Sequence, residues 1–318
     1  MGDFDQIISR SDAEALIPED AAREIIQGVP EESAALKIMR RLPNMSRKVQ
    51  RMPVLSLLPT AYFVDGEADT GGGLVKTSEQ RWQNKYIYAE KIGCIVPIPE
   101  DVLDDADYPI WDEVKPQIKE AFGRTIDAAV FFGTNKPSTW PTAIVTAAAA
   151  AGNTVALGTG EDVYDDIMGE NGVIATVEAD GYFVDSHIAA LTMRAKLRGL
   201  RSADGVPLFV SSMKEKGVYE LDGAPVIFPR NGGFNAASAL LVCGDSKQAV
   251  YSIRRDMTYK VLTESVIQDD AGAIVYNLAQ QNMVALMCTM RIGWQLPNPV
   301  NAIQGTEANR YPFGVLTP

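Results

Sequence analysis

The sequence has a single histidine, His187, and only three cysteines, Cys94, Cys243 and Cys288. A Ser-His-Asp or Cys-His device would have to recruit that one imidazole. His187 stands in "GYFVDSHIAALTMRAKLRGL", which reads as a strand passing into a helix over 186–199. Asp185 or Ser186 is the natural N-cap there, so His187 is expected at a helix start near the surface rather than in a catalytic site. The odd cysteine count and the absence of a CxxC pair argue against a disulfide framework or a zinc cluster, and fit a reducing cytoplasm. Long apolar runs are missing too. "IDAAVFF" and "TAIVTAAAAAG" fall short of the ~20 residues a membrane span requires. The acidic opening "MGDFDQIISRSDAEALIPED" lacks the apolar core of a secretory signal.

Positive charge is scarce. Lys and Arg number 29 against 41 Asp and Glu, a net charge of −12. Such a balance favours solubility and disfavours non-specific adhesion to nucleic acid or anionic membrane. The 318 residues are 46% hydrophobic and 22% charged, enough for one large globular domain or two ordinary ones.

Residues 15–42 predict two short helices, opened by Pro18 and Pro30, the second presenting Ala35, Ile38, Met39 and Leu42 on one face. The one basic cluster follows: Arg40, Arg41, Arg47, Lys48 and Arg51. It is either a solvated helix end and loop or an arm that contacts acidic neighbours or nucleic acid. Residues 50–99 read as a long β-hairpin, rising through "VLSLLPTAYFV", turning at "DGEADTGGG" and returning through "RWQNKYIYAEKIGCIVPIP". Trp82, Tyr86 and Tyr88 alternate on the return. An isolated two-stranded ribbon is marginal in water, so this one is expected to rest on another surface, such as a second chain.

A long helix is expected up to Gly133, with Ile110, Val114, Ile118, Phe122, Ile126, Ala129 and Phe132 near helical spacing and a kink or restart at Pro116. The acids Asp101, Asp104, Asp105 and Asp107 lack EF-hand spacing, and acids near a helix N-terminus suit its dipole. "NKPSTWPTAIVTAAAAAGNTVALGTGED" has a linker's composition. Residues 160–250 alternate helix and strand, with a turn at Asp204-Gly205. Residues 238–296 are mostly strand, and the tail from Asn298 reads as irregular.

The glycines Gly71, Gly72 and Gly73 run toward Lys76, which raises the question of a phosphate loop. A Walker A loop needs glycine directly before its lysine and a strand-to-helix setting. Here Val75 precedes Lys76 and the loop joins two strands, so a flexible hairpin tip fits better. No cofactor, metal or catalytic constellation is indicated.

Several blocks in order resemble one family. These are "IPEDAAREIIQGVPEESAALKIMRRLPNMS", "VPIPEDVLDDADYPIWDEVKPQIKEAFGRTIDAAVFFGTNKP", "LRGLRSADGVPLF", "LDGAPVIFPRNG", "ALLVCGDSKQAVYSIRRDMTYKVLTES" and "MVALMCTMRIGWQLPNPVNAI". Together, over residues 15–305, the chain resembles the major capsid proteins of tailed bacteriophages with the Hong Kong 97-type fold. The resemblance implies an α+β fold with an N-terminal arm (1–49), an E-loop hairpin (50–92) and a P-domain with its spine helix (93–140). It further implies an A-domain (about 141–270), then returning P-domain strands and a tail (271–318). It implies a non-enzymatic shell protein that self-assembles through pentamers and hexamers into an icosahedral head around double-stranded DNA, in the host cytoplasm. Implied partners are further copies, a possible separate scaffolding protein, portal and decoration proteins, and DNA without sequence-specific binding; no membrane is involved. The alternative with the same fold is an encapsulin-like nanocompartment. On this reading Gly71–Gly73 form the tip of an intersubunit clasp that Trp82, Tyr86 and Tyr88 help to seat. Some relatives form lysine–asparagine cross-links, for which Lys76 or Lys85 and Asn298 or Asn301 are the candidates. Many relatives carry a long N-terminal scaffolding segment, whereas this arm begins almost at Met1. A separate scaffold, none, or a processed form is then expected.

Overall fold

The computed structural model describes residues 32–64, 75, 77–105, 110–200 and 219–318. The first expected helix, Gly71–Gly73, Lys76, Asp107, Pro109 and the Asp204-Gly205 turn lie outside the described residues.

The chain opens with a short helix, α1 (Ala34–Ile38), whose Ser33 caps it by accepting a hydrogen bond from the Leu36 amide. Strand β1 (Arg40–Arg41) follows, then β2 (Val49–Leu57), β3 (Arg81–Tyr88) and β4 (Glu90–Pro99). Strands β2 and β3 pair antiparallel as expected, but the return strand changes partner at Ala89, and β4 belongs to a different sheet. The alternation continues unbroken through this change, so the sequence does not reveal it.

After α2 (Glu100–Asp105), the long helix α3 runs Ile110–Asp127 through Pro116 without a break. Its 18 residues span about 27 Å. Pro116 removes only the bond to Asp112, near the first turn, and the helix carries on past it. A π-helical turn, Ala128–Phe132, completes the spine. Its extra residue rotates the face, so Val130 and Phe131 enter the core beside Ala129. Gly133 then takes φ 75°, and the Thr134 amide closes on the Ala128 carbonyl, a Schellman-type stop.

The segment with a linker's composition is instead core structure. Trp140, Ala143, Ile144 and Ala148 are buried around α4 (Ile144–Ala151), which leads into β5 (Thr154–Ala156). Small side chains allow close packing here rather than flexibility. Next come α5 (Val163–Met168), α6 (Val173–Ala179), β6 (Ser186–Ala189) and α7 (Met193–Gly199). His187 therefore sits in mid-strand and is fully buried, not at a helix start. The run "SHIAA" is apolar enough to enter a sheet interior, and the helix begins only at Met193.

Strands β7 (Glu220–Leu221), β8 (Ala224–Ile227) and β9 (Leu241–Gly244) precede two long strands, β10 (Val250–Leu262) and β13 (Met283–Gln295). Between these lies a small hairpin, β11 (Val266–Gln268) with β12 (Ile274–Asn277). The tail expected to be irregular ends in β14 (Phe313–Thr317), nearly all of it buried. A short apolar run of this kind carries no period to betray it.

Two sheets result. One is four-stranded, ordered β1-β10-β13-β4, with α3 packed on one face. The other is six-stranded, ordered β5-β14-β9-β6-β8-β7. A single core, with Phe122, Phe131, Ile144, Ile292 and Phe313 among its members, runs from the first sheet past α3 and α4 to the second. The outer side of the six-stranded sheet has its own cluster around Ile167, Val173, Met193 and Leu241.

Candidate assembly surface

The β2–β3 hairpin has a locked root. Ile87 is fully buried, and Gly293 lies under it, where a Cβ would come within 2.4 Å of the Tyr88 carbonyl oxygen. That carbonyl accepts from Trp140 Nε1 at 3.2 Å, and the Tyr86 carbonyl accepts from Gln295 Nε2 at 2.9 Å. The Val300 amide donates to the Leu55 carbonyl at 3.0 Å. Lys85 Nζ and Gln83 Nε2 both donate to the Glu307 carboxylate, at 2.7 and 3.2 Å. The Lys85 bond holds the Glu307 carboxyl below its usual range.

Beyond the root, the hairpin presents one open face. Cross-strand pairs Val49–Tyr88, Arg51–Tyr86, Pro53–Asn84 and Leu55–Trp82 alternate onto it. Trp82 is 63% exposed and Phe63 98%. Trp82, Tyr86, Tyr88 and Arg51 therefore share a surface, with Tyr86 and Tyr88 rings 6.4 Å apart. The other basic residues are spread over the neighbouring arm. Arg40 and Arg41 pair through β1 with β10, Lys48 reaches Glu90 at 3.6 Å, and Arg47 is exposed in the bend between β1 and β2. Arg41 also lines a groove of about 400 Å³ with Lys37, Lys119 and Asp256, between α1, α3 and β10.

Two buried polar clusters escape a sequence reading. Asp127, the last residue of α3, is wholly buried. Its carboxylate accepts from Ser33 Oγ (2.6 Å), the Ala34 and Ala35 amides (3.0 and 2.9 Å) and Asn231 Nδ2 (2.7 Å). It ties the arm, the spine and the loop after β8 together. The only sequence signal is a carboxylate among apolar neighbours in "RTIDAAVFF". The second cluster is Arg310, buried and bonded to Asn298 Oδ1, the Asn298 carbonyl and the Gln304 carbonyl. Asn298 also accepts from Tyr182, whose hydroxyl pKa is raised by burial. Asn298 is thus consumed inside the fold, and the Asn301 amide donates to the Asp180 carbonyl.

Among the described residues, the buried His187 and Cys243 are held in strands of the six-stranded sheet. His187 Nε2 donates to the Leu221 carbonyl at 3.1 Å, and burial lowers its pKa to about 4. Burial raises the Cys243 thiol to about 12. Asp101 and Asp104 stand on α2, and among the described residues no His, Cys, Asp and Glu group is arranged to hold a metal ion. No helix among them is long and apolar enough to cross a membrane.

Comparison with known proteins accounts for this architecture. The major capsid protein of Staphylococcus phage 80alpha is 25% identical over 292 residues, 91% of this chain and 84% of that protein. A solved chain from Microbacterium phage Oxtober96 is 38% identical with a TM-score of 0.84, covering 98% of this chain and all of its own. One from Mycobacterium phage Cain is 32% identical with a TM-score of 0.83, covering 98% and 99%. The fold is the Hong Kong 97-type capsid fold, α+β as expected. A model of the Phage capsid family, a family of structural proteins rather than enzymes, matches residues 13–307. The chain belongs to the phage capsid family.

Proposed function

We propose that this major capsid protein assembles through pentamers and hexamers into an icosahedral head that encloses double-stranded DNA. The observation that carries the reading is the hairpin. Its root is fixed by Ile87, Gly293 and Glu307, while Phe63, Trp82 and, in part, Tyr86 stand exposed. A two-stranded ribbon gains stability by lying on something, and in a shell that surface belongs to a neighbour. Arg51, Trp82, Tyr86 and Tyr88 are assigned to this contact, with the tip glycines Gly71–Gly73 and Lys76 at its far end. Arg40, Arg41, Arg47 and Lys48 are assigned to a second contact along the arm.

The division proposed for the chain is an arm over 1–49, the hairpin over 50–92, a P-domain built on α3 and the four-stranded sheet, and an A-domain built on the six-stranded sheet. Strand β14 is placed in the A-domain, because it pairs with β5 and β9. The net charge of −12 suits a wall that holds packed DNA without binding it. A separate scaffolding protein, a portal and decoration proteins are the further partners, and assembly takes place in the host cytoplasm.

The test is to express the chain alone and with its phage's scaffolding protein, and to follow it by sedimentation and negative-stain electron microscopy. Closed shells are expected. A chain that stays monomeric under every condition refutes the reading. Reversing Arg47 and Arg51 to glutamate should abolish shells while the melting temperature holds; normal assembly would remove these two residues from the interface.

A further inference from the structure

Cys94 of β4 and Cys288 of β13 stand directly opposite one another in the four-stranded sheet, and Tyr259 of β10 continues the same rung. All three side chains lie on the α3 face, since Cys288 is a fully buried member of the core and Cys94 and Tyr259 pack against that core. The Tyr259 hydroxyl lies beside the Cys288 thiol and 3.9 Å from Met257 Sδ. Two thiols and a thioether are thus brought together, with the phenol between Cys288 and Met257. Cys94 is only half-buried and β4 is an edge strand, so the cluster is reached from solvent at that end. The function proposed above uses neither thiol.

The kind of rung decides what the pair can do. The Glu100 amide donates to the Asn282 carbonyl, which makes theirs a hydrogen-bonded rung. Rungs alternate, and Pro97 and Pro99, which have no N–H to give, fall on the other kind. An even number of rungs separates Cys94–Cys288 from Glu100–Asn282, so the cysteine rung is also hydrogen-bonded. Opposed Cβ atoms on such a rung lie about 5.5 Å apart, against about 3.8 Å in a disulfide. Two metal–sulfur bonds of about 2.3 Å each hold their sulfur atoms up to about 4.6 Å apart, which suits the wider gap. Among the described residues no set of three His, Cys, Asp or Glu donors serves a harder cation, whereas thiolate and thioether sulfurs select soft ions. We propose that Cys94 and Cys288 chelate a soft monovalent cation of the copper(I) or silver(I) class, with Met257 as a third donor. Each thiol gives its proton to solvent and a lone pair to the ion, whose oxidation state is unchanged. The complex keeps one negative charge, and Lys115 of α3 is close enough to Tyr259 to act on it. The bound ion ties the edge strand β4 to β13. Cys243, buried in the other sheet, takes no part.

The experiment titrates silver(I) nitrate, without chloride or added thiol, into the reduced full-length chain. Native mass spectrometry after desalting counts the ions retained, and hydrogen exchange follows β4. One ion per chain with the loss of two protons is expected, together with slower exchange of the β4 amides. Losing a ligand costs more than the roughly 10–100-fold of an outer partner, so Cys94→Ser and Cys288→Ser should each weaken retention by over about a hundredfold, and Met257→Leu by about tenfold. Cys243→Ser should leave retention unchanged. Thermal unfolding of each ion-free variant is recorded alongside; if the buried Cys288→Ser fails to fold, Cys94→Ser at the edge decides alone. Retention that survives Cys94→Ser overturns the inference, as does one ion per thiol, the mark of cysteines acting singly. Ready closure of a Cys94–Cys288 disulfide by diamide, found by peptide mapping, would put the sulfur atoms closer than the rung allows and also overturn it. Assembly is not read, so the result is independent of the shell reading.

Discussion

Replacing Asp127 should release the N-terminal arm without unfolding the body. The carboxylate is wholly buried and takes four hydrogen bonds, three of them from the start of α1. In Asp127→Ala the Ala34 and Ala35 amides, Ser33 and Asn231 lose this acceptor in a dry site. Removing one member of a buried charged cluster costs about 3–5 kcal/mol. Detaching α1 lets water reach the stranded donors and exposes Ala34, Ala35 and Met39 with the Leu36 and Ile38 side chains packed beside them, a small part of the core. Local opening is therefore cheaper than global unfolding, which costs about 5–15 kcal/mol. Hydrogen exchange should then accelerate by about a hundredfold or more in the amides of residues 34–39, at about 1.4 kcal/mol per tenfold. The amides of β14, in the other sheet, should keep their protection. Asp127→Asn sharpens the test. In either orientation an amide NH₂ there faces a backbone N–H, of Ala35 or of Ala34, and the Asn231 side chain cannot turn over without losing its bond from the Gly233 amide. The asparagine variant should therefore be nearly as damaging as alanine. Wild-type protection in Asp127→Asn would refute the reasoning, and equal acceleration in β14 would show that the body, not the arm, had been loosened.

Three other substitutions probe separate joints. Gly123→Ala puts a Cβ 2.9 Å from the Ser33 amide nitrogen, so the arm should exchange faster while α3, relieved of a glycine worth about 1 kcal/mol, exchanges more slowly. Gly293→Ala drives a Cβ to 2.4 Å from the Tyr88 carbonyl oxygen and 2.7 Å from Ile87; about 1–3 kcal/mol should be lost in denaturant unfolding, with fastest exchange at the hairpin root. His187 has a folded pKa of about 4, below its unfolded value, so the unfolded chain binds the extra proton and stability falls as pH drops from about 6.5 toward 4. The loss should be about 2 kcal/mol at pH 5, measured by denaturant unfolding, and His187→Gln should remove that part of the acid limb.

What the sequence made legible followed from local rules. The spine's apolar spacing, the Gly133 stop, the hairpin and the order of family blocks all depend on residues close together in the chain. The misses depended on partners far away. Nothing in "AEKIGC" shows that pairing passes from β2 to β13 at Ala89, because the alternation is the same on both sides. "FGVLT" becomes a strand only because β5 and β9 leave a gap between them. His187 looked like a helix start because Asp185 and Ser186 are good caps, yet Asp185 instead accepts from the Ser246 amide and hydroxyl. Asn298 looked available for cross-linking until Tyr182 and Arg310 were found to occupy it. Interface residues were legible only as a class, since exposed aromatics and cations can be read from alternation but not the surface they meet.

The placement of rigidity suits a subunit that has to join a shell. Its expensive interactions are internal and join its moving parts at a few points: Asp127 for the arm, Gly293 and Glu307 for the hairpin root, Arg310 for the loop before β14. Each fixes a direction, so that the exposed end of the hairpin is presented at a defined angle. The exposed groups are individually modest: Phe63, Trp82 and the cations of the arm. One such contact in water contributes little, since exposed ion pairs are worth about 0–1 kcal/mol and are screened by salt. On the assembly proposed above, such contacts repeat around a closed ring, and no single one has to be strong. A subunit with a stronger clasp would trap misplaced neighbours before the ring closed, so weak contacts on a stiff frame are what error-correcting assembly requires. If contacts of this kind hold the shell, mutations that loosen Asp127 or Gly293 should give irregular particles by negative-stain electron microscopy, and particles of normal shape would count against the argument.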